Sequence, residues 1–278
     1  MEHGGAFAPM VLERWRRREN FLPGVALVLL ATVAWAYTAY QASAMQGMKM
    51  SNVGGLALFL LGWAVMMVAM MIPATLPLIL LYRVVARQRQ GPSRARIGTA
   101  ALLAGYIGVW TAAGLPVYAY NNLSATYMGS GASVLPALLL IGGGVYQFTA
   151  LKSSCHTRCS SPLFFLMQKW RPGTPGALRL GVLHGIDCLG CCAGVMAGLV
   201  ALGMMNLAWM LTAALLIFVE KTMPDGHRIA RPLGLLMVAG GIAFLGFSLI
   251  GGVGHEVEMQ PGTEPNPEME MDPEMGSM

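Results

Sequence analysis

Charge is what this chain has least of. Only 11% of its 278 residues are Asp, Glu, Lys or Arg, against about 25% in soluble globular domains. That shortage excludes an ordinary water-soluble fold. Segments of about ten residues with alternating polarity are also missing, which excludes a membrane β-barrel. No P-loop is present, so nothing points to a nucleotide-driven pump. No internal repeat or inverted-repeat symmetry is convincing. The excess of 18 basic over 13 acidic residues is small, and it does not suggest nucleic acid as a partner. In an apolar chain the position of the basic residues matters more than their sum.

What is present is long apolar runs. Hydrophobic residues make up 55% of the chain, and the mean hydropathy is +0.58. Runs of about 18 to 24 nearly uncharged residues follow one another, the signature of a polytopic helical membrane protein. Seven spans are predicted, at roughly 21–42, 55–82, 97–120, 134–151, 180–202, 206–220 and 232–253. The short sixth pairs with the fifth as a tight hairpin turning at Gly203–Asn206. A six-span count, with one element re-entrant, is the alternative. Pro73 and Pro77 predict a kink in the cytoplasmic half of the second span.

The basic residues assign the sides. The N-terminal arm holds Arg14, Arg16, Arg17 and Arg18. The loop after span two holds Arg83, Arg87, Arg89, Arg94 and Arg96. Lys152, Arg158, Lys169, Arg171 and Arg179 follow span four, and Lys221, Arg228 and Arg231 follow span six. In a seven-span chain all of these share one side, and Lys49 alone lies opposite. The positive-inside rule then puts the N-terminus in the cytoplasm and the C-terminus outside. The first span mimics a signal peptide, with RWRRREN before it and Ala42-Ser43-Ala44 after it. Its apolar run from Phe21 to Tyr40 is longer than a usual signal core, so it is read as a retained span. Residues 1–20 form a cytoplasmic basic arm and residues 21–253 the transmembrane domain. Residues 254–278 form an external tail, acidic, Met-rich and free of Lys and Arg, whose composition predicts disorder.

Soft metal ligands are concentrated in this apolar setting. The chain has 22 methionines, and its five cysteines fall in two tight groups. In MMVAMMIP (66–73), Met66 and Met70 are four apart, as are Met67 and Met71. Two thioether pairs therefore stack on adjacent helix faces, roughly 16 to 24 Å into the membrane. Thioethers bind Cu(I) without being deprotonated; the plainer reading is that methionine fills a helix interface. In HGIDCLGCC (184–192), His184, Cys188, Cys191 and Cys192 lie on one helical stripe. Thiolates are costly to bury, so a bound soft cation accounts for them. Disulfide exchange through the CxxC pair and close packing of small residues are the other readings. Asp187 lies about 60° from His184 around the helix. It is expected either to join that site or to face a cytoplasmic vestibule, with the metal or Lys152 as partner.

In LKSSCHTRCSSP (151–162), a helical extension of span four would put Cys155 and Cys159 on one face at the cytoplasmic mouth, with His156 beside them. Tyr146, Gln147 and Thr149 are polar positions above them that line a path or bond across helices. Outside, Met45, Met48 and Met50 and the tail's Met269, Met271 and Met275, with Met259, Met278 and His255 nearby, form a candidate capture surface. Thioethers suit an oxidising compartment where thiolates would be lost. His3 and His227 stand alone.

Four separated stretches carry a resemblance: GWAVMMVAMMIPATLPL (62–78), YQFTALKSSCHTRCSSPLFFL (146–166), ALRLGVLHGIDCLGCCAGVM (177–196) and MNLAWMLTAALLIFVEK (205–221). Over roughly residues 55–250 the chain resembles a bacterial domain-of-unknown-function family of predicted metal-binding integral membrane proteins. It departs from the family pattern at Asp187, where members often carry an aromatic or other uncharged residue, and at Ala193, where they often carry Trp. The resemblance implies a multi-pass protein of the bacterial inner membrane.

The expectation is an all-α transmembrane bundle that handles a soft metal, copper(I) before others. It would bind and transport or deliver the ion from methionines outside and at midplane to His and Cys near the cytoplasm. The candidate ligands are Met66, Met67, Met70, Met71, Cys155, Cys159, His184, Asp187, Cys188, Cys191 and Cys192. No catalytic residue is assigned. The expected partners are the lipid bilayer and a copper chaperone or membrane cuproenzyme, with homo- or hetero-oligomers left open. The alternatives are a thiol–disulfide relay between the two cysteine groups and a non-enzymatic assembly subunit of a membrane complex.

Overall fold

The computed structural model describes residues 18–44, 55–127, 134–203, 206–223 and 227–251. Among these residues the structure is all-α, with nine helices. They are α1 (Arg18–Ala44), α2 (Gly55–Gln90), α3 (Pro92–Tyr127), α4 (Leu135–Tyr146), α5 (Ala150–Cys159), α6 (Pro162–Lys169), α7 (Gly173–Leu202), α8 (Leu207–Thr222) and α9 (His227–Gly251). Five contain stretches long and apolar enough to cross a membrane: α1, α2, α3, α7 and α9. Leu29, Val33, Leu58, Leu61, Leu215, Leu235 and Phe247 face outward from the bundle. In water such surface would be a liability; against lipid it costs nothing. The chain is membrane-associated.

Local chemistry sets the breaks. Gly91 takes a left-handed φ of +85° between α2 and α3, a conformation that a side chain disfavours. Pro92 then starts α3, where a missing N–H is harmless. Gly203, with φ +101°, ends α7. Asn206 caps α8 by accepting from the backbone N–H groups of Ala208 and Trp209 at 3.0 and 3.4 Å. Pro73 and Pro77 both lie inside the unbroken α2.

The predicted fourth span differs most. α4 ends at Tyr146, and α5 leaves it at 68° after a three-residue turn. Thr149 accepts the N–H of Lys152 and caps the new helix. Cys155 and Cys159 therefore belong to a separate arm, not to a straight extension of α4. The pair α4–α5 counts as one crossing only if it is taken together, which makes six spans. α8, in the place of the predicted sixth span, has 16 residues and so reaches about 24 Å, short of a typical crossing.

α7 is central, packing against α3, α4, α5 and α8. Glycines bring backbones together there. A Cβ on Gly181 would collide with the Leu102 carbonyl of α3, and one on Gly105 with the Leu178 carbonyl of α7. Gly143 and Gly194 meet in the same way across α4 and α7, where a Cβ on either would lie 2.7–2.8 Å from the other's carbonyl oxygen. Small residues at such crossings are how helices associate where no hydrophobic effect drives them together.

Candidate metal centre

The sulfurs gather where α2, α3, α5, α7 and α8 meet. Cys188, Cys191 and Cys192 are buried on α7, and Cys159, the last residue of α5, is buried against them. The Sγ atoms of Cys159, Cys188 and Cys191 all lie within 4.8 Å of one another. A trigonal ion with metal–sulfur bonds of about 2.3 Å would hold its sulfurs about 4 Å apart, so the set fits a three-thiolate site with small adjustment. Cys192 Sγ is 3.4 Å from Cys191 Sγ, at the edge of the group. All five cysteines are free thiols.

Cys188 is the best supported of the three. It is fully buried. The Lys221 ammonium donates to its sulfur at 2.8 Å. The Tyr106 hydroxyl lies 3.1 Å from the same sulfur. Thr75 donates to that hydroxyl oxygen at 2.9 Å, which leaves the phenolic proton directed at Cys188. The sulfur is thus held by a cation from α8 and a relay from α2 through α3.

The methionines reach the same core. Met66, Met67, Met70 and Met71 are buried and pack in one cluster with Cys155, Cys159, Cys188, Cys191, Cys192, Trp63, Tyr106 and Trp110. Met67, Met71 and Thr75 follow at four-residue spacing on one face of α2. The thioether stripe therefore runs into the residue that orients Tyr106.

The remaining candidates have other partners. His184 lies one turn before Cys188 on α7, yet the converging third sulfur comes from Cys159. The His184 ring packs against Tyr106 and Phe165, with centroids 5.7 and 5.3 Å away. Its Nδ1 is buried without a hydrogen-bond partner. Asp187 pairs with Arg158 at 3.2 Å. Lys152, one of the two partners expected for Asp187, instead bonds Glu220 at 2.7 Å and the Gln147 side chain. Asp187, itself buried, pairs with the arm's exposed Arg158, while Lys152 turns inward to α8. Cys155 lies against Gly190, where the lack of a side chain admits its sulfur. Met45, Met48, Met50, Met269, Met271 and Met275 fall outside the described residues.

Lys221, Tyr106, Thr75 and Glu220 were not candidates from sequence. Lys221 counted there only as a topological charge. The available sign was the pair Glu220–Lys221 directly after the apolar LLIFV: two charges closing an apolar helix need partners if they are buried.

A family model described as PpoB2, copper chaperone, matches residues 60–244. The chain belongs to this copper chaperone family. The matched segment contains the α2 methionines, both cysteine groups, Tyr106 and Lys221. No curated protein and no solved structure is matched by the chain.

Proposed function

We propose that this protein binds Cu(I) inside the bacterial inner membrane and hands it on, without catalysing a reaction. The observation that carries the reading is the three-sulfur cluster of Cys159, Cys188 and Cys191, closed into a methionine-rich core. Thiolate and thioether ligands suit soft centres, Cu(I) and Zn(II) among them, and membership of a copper chaperone family favours copper.

In this reading the ion first meets neutral thioethers. Met45, Met48, Met50 and the tail methionines collect it outside, and the Met66/Met70 and Met67/Met71 pairs carry it to midplane. No charge has to be buried to form those sites. The ion then passes to the thiolates, which bind more strongly, with His184, Cys155 and Cys192 as neighbouring ligands on the way to the cytoplasmic mouth. Binding at successive sites removes the barrier that a bare cation meets in hydrocarbon. The recipient is a cytoplasmic copper carrier or a membrane cuproenzyme.

The test is metal analysis of the purified full chain, paired with copper uptake by vesicles. Wild type is expected to retain Cu(I) and to raise vesicle copper. The variant Cys188→Ser/Cys191→Ser/Cys192→Ser is expected to do neither. Equal copper in the two proteins would sink the proposal. A mixed disulfide trapped between the α5 and α7 cysteines, with no copper bound, would point instead to thiol–disulfide exchange.

A further inference from the structure

Lys221 is 9% exposed and sits in the last turn of an apolar helix. A buried ammonium needs a counter-charge. Its sequence neighbour Glu220 does not supply it, because Glu220 is bound to Lys152 of α5 at 2.7 Å. Asp187 does not supply it either, being paired with Arg158 at 3.2 Å. Lys221 Nζ instead donates to Cys188 Sγ at 2.8 Å, at the edge of the three-sulfur cluster. The other groups lining the cluster are the Cys192 thiol, 3.4 Å from Cys191 Sγ and outside the three converging sulfurs, and the neutral Thr75, Tyr106 and α2 methionines.

We propose that Lys221 is the built-in counter-cation of the sulfur site, a positioning and specificity-determining residue that lets three buried thiolates hold a monovalent ion. The inference rests on the copper reading above and goes beyond it in naming what sets the site's charge. Ligating thiols are deprotonated. Three thiolates and Cu(I) together leave two negative charges in an apolar core, and Lys221 reduces them to one. The same site with a divalent ion is neutral with Lys221 and carries one negative charge without it. The solvation cost of a buried charge rises with its square, so loss of Lys221 raises the cost for Cu(I) by roughly three times as much as for Zn(II). Lys221 therefore supports the monovalent ion selectively.

The experiment measures Cu(I) and Zn(II) affinities of the full chain in detergent, by chelator competition under anaerobic reducing conditions. Lys221→Met is expected to weaken Cu(I) binding on the order of 10–100-fold, the range seen for groups that support ligands, and Zn(II) binding by a clearly smaller factor. Lys221→Gln, which keeps a hydrogen-bonding group and tolerates burial, is expected to show the same bias. Lys221→Arg is expected to keep the wild-type ratio. Tyr106→Phe removes the neutral donor to the same sulfur and is expected to shift both metals alike. Equal losses for the two metals in both neutral Lys221 variants, no loss in either, or a Tyr106→Phe bias as large as theirs would overturn the inference. Failure of the wild type to bind Cu(I) would instead remove the proposed function.

Discussion

Cys159 and His184 exchange importance between sequence and structure. Spacing along one helix favoured His184, because it is four residues before Cys188. The structure brings Cys159 into the cluster and surrounds the His184 ring with Tyr106 and Phe165. Cys159→Ser should therefore weaken Cu(I) binding more than His184→Ala does; chelator competition on the two purified variants gives the order, and the reverse order would refute the three-sulfur site. Helical periodicity sees residues one or two turns apart and is blind to a ligand delivered from another helix. That is why the α7 cysteines were legible and their grouping with Cys159 was not. Lys221 was hidden for a related reason: a lysine at a helix end looks the same in sequence whether it faces water or a buried sulfur.

At the scale of elements, the α5 arm is held by polar ties. Lys152 bonds Glu220 of α8, His156 Nε2 lies 2.9 Å from the Glu220 carbonyl oxygen, and Arg158 reaches Asp187 of α7. The Lys152–Glu220 pair has side chains only 3% and 6% exposed. Removing one partner of such a pair leaves a bare buried charge, which costs about 3–5 kcal/mol, whereas replacing both can be nearly neutral. Lys152→Met alone is thus expected to lower the unfolding temperature in detergent strongly, and Lys152→Met/Glu220→Gln to recover most of the loss. Additive effects would show that the two side chains are not coupled in the fold. Helix contacts through glycine give a second expectation. A methyl at Gly181 would meet the Leu102 carbonyl, while one at Gly62 meets nothing within 4 Å. Gly181→Ala should cost about 1–3 kcal/mol from overpacking and Gly62→Ala little, as thermal unfolding of the two variants would report. The long helices and their apolar character were readable from hydropathy. The bend at residues 147–149 was not, because the stretch holds neither Gly nor Pro and YQFT also fits a continuing helix.

For the whole molecule, the number of crossings decides on which side of the membrane the C-terminus lies. Length and composition support five spans among the described residues, six with the bent pair, and seven if α8 also crosses. The parity is measurable. Seven crossings put the C-terminus on the opposite side from the N-terminal arm and six put it on the same side. A topology reporter fused after Met278 is expected to report the outside, with one inserted at Gly91 reporting the cytoplasm. A cytoplasmic C-terminal reporter would establish the even count and place the acidic Met-rich tail away from any external capture role.

The sequence by itself determined the fold class, the membrane environment and the presence of soft ligands, because hydropathy and ligand type are properties of residues and need no neighbours. It also placed the methionine pairs and the α7 cysteines each on one helix, since helical spacing is local. Tertiary structure decided which ligands converge and what balances their charge. Cys159 arrives on an arm bent by 68°, and Lys221 reaches Cys188 from a third helix. Such contacts depend on how helices cross, and the crossings are set by glycine faces and buried ion pairs whose partners lie far apart in the chain.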